Sequence, residues 1–345
     1  MVISAGRAGP AGSPHITVFA PAPHLEISVE CSGDGAEIHV HPGGQGYWIA
    51  RMIDTLGARP QLCTPLGGEL GEQLRVGLAP MPDEGLVEVS TPTPARIVDR
   101  RTDRRGECWT ASPTCALDRH ELDDVFTRTI GLAAASGTCV VSGTDGDGTV
   151  PPSVFERLAR DLRALEVLVV ADISGEEFAA LLEGAPPDVV KLSDAELVRD
   201  GWADDDDPDS LGKGMVRLLE RGVGAVIVTR ADSGALVDDG VARHRVTGPE
   251  LSPVNSRGAG DSLTAAVATR LALGDELLDA VRLGVAAGAL NATRHGLGSG
   301  ERDAIESLAR QVTTTPDEHR GPDRSQDPAE HGLPDELGGR RGVAR

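Results

Sequence analysis

Residues 255–266 read NSRGAGDSLTAA, and within them Gly258, Ala259 and Gly260 precede Asp261 at the start of a helix-like run. Small residues let successive backbone N–H groups converge on one point, and a helix starting there adds the positive end of its dipole. Such a turn suits an anion. Asp261 is the anomaly, because a carboxylate repels whatever anion the same turn holds. Two readings fit: the acid caps the helix, or it takes a proton from a hydroxyl that attacks a phosphorus held by the turn. The residues alone leave both open.

A second glycine cluster, HPGGQGYWIARMIDTLG over 41–57, also precedes a helical pattern, and VVKLSDAEL (189–197) and VIVTRADSGALV (226–237) lie between the two. The sequence holds no G-x-x-x-x-G-K-[ST] and no G-x-G-x-x-G opening a βαβ unit, which removes the main support for P-loop and dinucleotide-binding readings. It also lacks H-E-x-x-H and G-x-S-x-G.

The net charge of −21 argues against nucleic acid and anionic membranes as partners. Only Lys191 and Lys213 are lysines, so arginine carries nearly all the positive charge. An anionic ligand must therefore meet a local exception built from Arg, backbone N–H groups or a metal. Aromatics make up 2%, which makes Trp48 and Trp109 conspicuous. Cys31, Cys63, Cys108, Cys115 and Cys139 show no Cys-x-x-Cys spacing and read as incidental thiols. No apolar run is long enough to span a bilayer and the N-terminus lacks a signal-peptide core, so a cytoplasmic location is expected.

The elements that must position these residues follow from periodicity. Short apolar runs (HITVFA, PQLCTPL, TCVVSG, VLVVAD, DVVKLS, AVIVTR, GALVDDG) read as buried strands. Helix-period segments at 47–56, 118–135, 151–165, 175–184, 194–201, 209–221, 261–273, 275–293 and 301–312 are interspersed among them. The alternation predicts an α/β fold: a doubly wound, mostly parallel sheet with helices on both faces. Two segments, 24–44 and 93–112, instead alternate apolar and polar residues around turn signals at Gly33-Asp34-Gly35 and Asp103–Gly106. They predict a small β-sheet lid. Residues 1–14 read as a loose N-terminus, 15–312 as the folded body, and 313–345 as a disordered tail rich in Pro, Gly and charge.

RGAGDSLTAAVATRLALG resembles the second signature of the PfkB (ribokinase-like) carbohydrate kinases, and PGGQGYWIARMIDTLGARPQLCTPLGGELGEQL resembles the first. The order of the pieces between them agrees, and GVAAGALNATRHGLGSG (284–300) is similar to the family's helix-loop near the adenine. The nearest branch is the 1-phosphofructokinase and tagatose-6-phosphate kinase group. The resemblance implies ATP as phosphoryl donor, Mg²⁺, Asp261 as general base and the Gly258–Ala259–Gly260 backbone as anion hole. It implies Lys191, Ser193, Glu196, Thr229, Gly234 and Asn291 at the nucleotide end. Glu196 belongs to the family's Asn-x-x-Glu motif, which organises Mg²⁺ through water and which here begins with Ser193.

The substrate end implied by the resemblance comprises His24, Gly43, Gly44, Gln45 and Trp48, with Arg96 and Arg100 as cations for a phosphorylated acceptor. Here the chain departs from the family. Asn-Pro-Ala-Leu-Asp becomes APAPH, placing His24 at the acid's position; Gly-Gly-Lys-Gly becomes Gly43-Gly44-Gln45-Gly46; and Trp48 replaces an Asn. The expected acceptor is a sugar or sugar phosphate, and a homodimer through the lid sheet follows by analogy. A weak nucleotide- or metabolite-binding sensor and a nucleoside kinase of the same fold are the alternatives.

Overall fold

The computed structural model describes residues 12–32, 35–101, 107–144, 146–249, 251, 257–293 and 300–317. The chain opens with β1 (His15–Phe19), β2 (His24–Ser32), β3 (Gly35–Gly43), α1 (Gln45–Thr55), β4 (Arg59–Gly67), α2 (Gly68–Leu78) and β5 (Leu86–Val89). It continues through β6 (Ala95–Asp99), β7 (Glu107–Ala111), α3 (Arg119–Ser136), β8 (Thr138–Ser142), α4 (Pro152–Ala164), β9 (Leu168–Asp172), α5 (Gly175–Gly184), β10 (Val189–Ser193) and α6 (Asp194–Arg199). The last part holds α7 (Pro208–Glu220), β11 (Ala225–Thr229), β12 (Ala235–Asp238), β13 (Arg243–Thr247), α8 (Ala259–Ala272), α9 (Leu277–Ala292), α10 (Arg302–Ala309) and β14 (Thr313–Pro316).

The main sheet runs β14-β13-β12-β11-β10-β9-β8-β1-β4-β5. From β11 to β5 every neighbouring pair is parallel, and β11 through β14 pair antiparallel at one edge. The parallel strands carry continuous Val, Ile and Leu because both faces are covered, which produces two apolar cores, one on each side. Helix α8 is buried almost all round, from Ser262 to Thr269, between the sheet and helices α1 and α9. Its alanines permit that depth. On α9, a Cβ at Gly288 would lie 2.8 Å from the Ala259 carbonyl, so glycine lets α9 close onto the start of α8.

The two alternating segments form a separate sheet, β3-β2-β6-β7. β2 pairs antiparallel with β3 and parallel with β6, and β6 pairs antiparallel with β7 across an irregularity at Ile97/Val98. His24, Glu26 and Ser28, alternate residues of β2, are buried, whereas Ile38 and Val40 on β3 are 69% and 61% exposed.

The predicted tail boundary requires a correction. Residues 313–316 are an edge strand, β14, paired with β13 over Thr313↔Thr247 to Pro316↔His244. Buried Val312 and Asp317 anchor its two ends, and Asp317 N donates to the Arg243 carbonyl at 2.9 Å. An edge strand needs no apolar alternation, so TTTP gave no periodic signal. The rest of the predicted tail (318–345), residues 1–11 of the N-terminus, the turn residues 33–34 and 102–106, and 294–299 of the loop expected near the adenine lie outside the described residues. Among the described residues, no helix is long and apolar enough to cross a membrane.

Candidate active site

The Gly258–Gly260 turn is built by α8 and held by α9. Gly258 takes φ +76 at the N-cap, and both the backbone N and Oγ of Ser262 donate to its carbonyl, at 3.0 and 2.8 Å. The cap has no side-chain hydrogen bond, and Asp261 lies inside the first turn. Gly258, not Asp261, is therefore the N-cap residue. Asn291, fully buried on α9, donates Nδ2 to the Arg257 carbonyl at 2.9 Å and so fixes the residue preceding the turn. The structure thus ties Asn291 to the loop backbone.

Below the turn sits a buried ion pair. Lys191 Nζ donates to Asp172 Oδ1 at 2.7 Å, and Thr264 Oγ1, one helical turn beyond Asp261, donates to Asp172 Oδ2 at 2.6 Å. Burial by itself pushes the Lys191 pKa down, but the Asp172 carboxylate, with Glu196 and Asp261 beyond it, raises it above the ordinary lysine value. Ser193 caps α6 in a reciprocal box with Glu196. Glu196 N donates to Ser193 Oγ at 3.2 Å, while Ser193 N and Oγ donate to Glu196 Oε2 at 2.7 and 2.8 Å. Burial pushes the Glu196 carboxyl up, and Lys191 followed by the Ser193 amide and hydroxyl outweigh it, leaving the pKa below the usual value.

Thr229 ends β11 directly beside Ser193, its Oγ1 donating to the Leu192 carbonyl at 3.4 Å. Gly234, at φ +77, passes so close to β13 that a Cβ would lie 2.2 Å from the Val246 carbonyl oxygen. These residues gather at the carboxyl ends of β10 and β11, where ligands bind in open parallel sheets.

A cleft of about 200 Å³ joins the two glycine clusters. Asp261, Gly258 and Arg257 form one wall. His24, Glu26 and Arg96 reach it from the lid, and Gly44, Gln45 and Trp48 from the start of α1. Gly44, at φ +106, caps α1, while Gln45 Oε1 accepts from Gly143 N at 3.1 Å and so links α1 to the end of β8. Trp48 is only 4% exposed, packed edge-on against His41 and Tyr47 at ring distances of 5.3 and 4.6 Å.

His24 is buried with its Nε2 lacking a hydrogen-bond partner, 3.8 Å from Glu26 Oε2. Gly43 lies against this ring: a Cβ there would come 2.5 Å from Nε2. Glu26 itself accepts from Arg100 at 2.7 Å and has His41 at 3.7 Å. Burial raises the Glu26 carboxyl, but His24, Arg100, His41 and Arg257 together hold it down at about 2.

The expectation for Arg100 therefore needs correction. Its guanidinium is buried between Glu26 and Glu30, bonded at 2.7 and 3.0 Å, and does not line the cleft. Arg96, on the same strand, does.

Sequence reasoning missed Glu26, Arg257, Thr144 and Asp172. Glu26 was detectable, because it lies two residues from His24 on an alternating strand and must share its face. Thr144, which bonds Glu177, follows the end of β8, and Asp172 is the last residue of β9, in segments that carried no separate chemical signal. Among the described residues no group of three or more His, Cys, Asp or Glu forms a metal cage. A metal here would have to share its coordination with ligand phosphates and water, as Mg²⁺ commonly does.

The profile described as pfkB family carbohydrate kinase matches residues 16–304. The chain is 30% identical over 266 residues to the ATP-dependent 6-phosphofructokinase isozyme 2 of Escherichia coli, covering 74% of this chain and 82% of that protein. It is 28% identical over 283 residues to the 1-phosphofructokinase of Bacillus subtilis, covering 80% and 88%. Among solved structures, phosphofructokinase-2 from Escherichia coli in complex with potassium aligns with TM-score 0.75 and 24% identity, over 86% of this chain and 99% of that one. A possible 1-phosphofructokinase from Thermotoga maritima aligns with TM-score 0.76 and 18% identity, over 88% and 99%. These two likenesses are of fold.

Proposed function

The chain belongs to the pfkB family of carbohydrate kinases, and from that premise we propose that it transfers the γ-phosphoryl group of ATP to a hydroxyl of a sugar or sugar phosphate. One observation carries this reading: Asp261 and Gly258 line the same cleft as His24, Gln45 and Arg96. A hydroxyl lying against Asp261 would also lie against the amides of the anion turn. The Asp261 carboxylate accepts the hydroxyl proton as the oxygen attacks the γ-phosphorus, and the bond to the β–γ bridging oxygen breaks, releasing ADP. The Gly258–Gly260 amides hold the phosphoryl group in flight.

Glu196, an ionised carboxylate next to Lys191, is where Mg²⁺ would be held, through water; the ion supplies charge neutralisation on the phosphates when bound. Lys191, Ser193, Thr229, Gly234 and Asn291 shape the nucleotide side, Lys191 and Asn291 from beneath the turn. Relatives named 6-phosphofructokinase and 1-phosphofructokinase support a phosphorylated sugar as acceptor, with Arg96 as its cation. The packing of Trp48 against His41 and Tyr47 argues against the nucleoside kinase alternative, in which it would stack on a base. Chains pair through the exposed lid face, and a relative from Escherichia coli is described in a tetrameric inhibited form. The protein acts in the cytoplasm, where ATP is available.

The test is ADP release from Mg-ATP against a panel of sugars, sugar phosphates and nucleosides. Turnover with a sugar or sugar phosphate supports the reading. ATP binding without turnover on any acceptor favours the sensor.

A further inference from the structure

Lys191 is one of two lysines in a chain of 345 residues, and it is buried near the carboxyl end of β10, beneath the anion turn. A buried ammonium is unfavourable unless it is paired. Asp172 provides the pairing and does more, because its second oxygen accepts from Thr264. One carboxylate therefore ties β9, β10 and α8 together, and α8 is the helix that carries Asp261. A Cβ on Gly260 would come within 2.8 Å of Nζ, so the ammonium packs against the backbone of the turn itself. Asp172 holds it there in a buried site.

The charges around it point the same way. Asp172 on β9, Glu196 on α6 and Asp261 on α8 all attract the Lys191 ammonium. Three carboxylates beside a site for a triphosphate repel both one another and the phosphates. Lys191 is the buried cation that all three carboxylates attract.

We infer that Lys191 is a positioning residue for phosphoryl transfer: held by Asp172 beneath Gly260, its ammonium fixes the anion turn and offsets the carboxylate charge that would repel the moving phosphoryl group. This rests on the reading of Gly258–Gly260 as anion hole. Lys191 makes no contact with the acceptor and takes no part in proton transfer. A side chain at position 260 would have to displace the Lys191 ammonium.

The test uses the full-length protein and two variants, Lys191→Met and Asp172→Asn, with Asp261→Asn alongside. The probe is ADP with Mg²⁺, titrated with and without aluminium fluoride, which mimics the phosphoryl group in flight. In the parent, aluminium fluoride tightens ADP binding; if it does not, the anion-hole reading itself fails. In Lys191→Met that tightening, taken as the ratio of ADP affinity with and without aluminium fluoride, falls by ~100-fold or more, the size of effect expected on losing one oxyanion-stabilising group, beyond any weakening of ADP alone. Asp172→Asn, which keeps the lysine but loosens it, shows a smaller loss of the same kind, and decides the matter alone if Lys191→Met does not fold. Full tightening in both variants, or a loss matched by equal weakening of ADP alone, overturns the inference. Unchanged turnover in Asp261→Asn would defeat the base assignment and leave the lysine result standing.

Discussion

The side-chain amide of Asn291 reaches from α9 to the Arg257 carbonyl at 2.9 Å, so the residue entering the anion turn is held from a neighbouring helix. The geometry of the turn is therefore a tertiary property, and damage to α9 is felt at the Gly258–Gly260 turn. Asn291→Leu keeps the volume and leaves the Arg257 carbonyl without this donor, a loss of about 1–3 kcal/mol for a buried group. The expected outcome is a fall in kcat of roughly 10- to 100-fold with a modest drop in Tm. Steady-state kinetics beside a thermal melt check it. Unchanged kcat at lowered Tm would make Asn291 a stability residue only.

At the other end of the cleft, Gly43 and His24 test acceptor recognition. A Cβ at position 43 would come 2.5 Å from His24 Nε2 and displaces the ring. Gly43→Ala is expected to raise the acceptor KM by ~10-fold, about 1.4 kcal/mol, and to leave the KM for ATP unchanged. Equal effects on both substrates would count against His24 as an acceptor contact.

Glu26 gives a pH prediction. Its folded pKa, about 2 against an ordinary 4.5, is depressed. Its contribution to stability is therefore complete above the unfolded pKa and is lost as pH falls from about 4.5 towards 2. The contribution is on the order of 3 kcal/mol. Glu26→Gln is expected to lower Tm at pH 7 and to narrow the gap to the parent as pH approaches 2. A gap independent of pH would contradict the depressed carboxyl.

The lid also predicts assembly. Ile38 and Val40 are exposed on β3, an edge strand of the small sheet, a surface that invites pairing. Light scattering should give a dimer or larger for the parent and a monomer of unchanged Tm for the Ile38→Asp/Val40→Asp double variant. A monomeric parent would remove the lid-dimer proposal.

Much of the scaffold was legible because burial on both sheet faces leaves continuous apolar strands such as VLVVAD and AVIVTR, and because lid strands exposed on one face must alternate. The start of α8 was legible because a glycine pair before an alanine-rich run marks a turn into a helix. Three features escaped for physical reasons. β14 is an edge strand anchored by Val312 and Asp317 rather than by its own apolar pattern. Arg100 offers the same cation as Arg96, and only the carboxylates of Glu26 and Glu30 decide which one faces the cleft. The partner of Lys191, Asp172, lies on the neighbouring strand, and Thr264 comes from a distant helix. Tertiary neighbours of that kind leave no mark in spacing.

The central claim is that Asp261 takes the proton while the adjacent turn holds the phosphoryl group. The most direct measurement is the single-turnover rate of phosphoryl transfer from radiolabelled ATP to the best acceptor of the panel, for the parent and Asp261→Asn. Loss of a positioned general base predicts a fall of ~10²- to 10⁴-fold, with ATP still bound as tightly as before. Transfer by Asp261→Asn within about threefold of the parent would contradict the account.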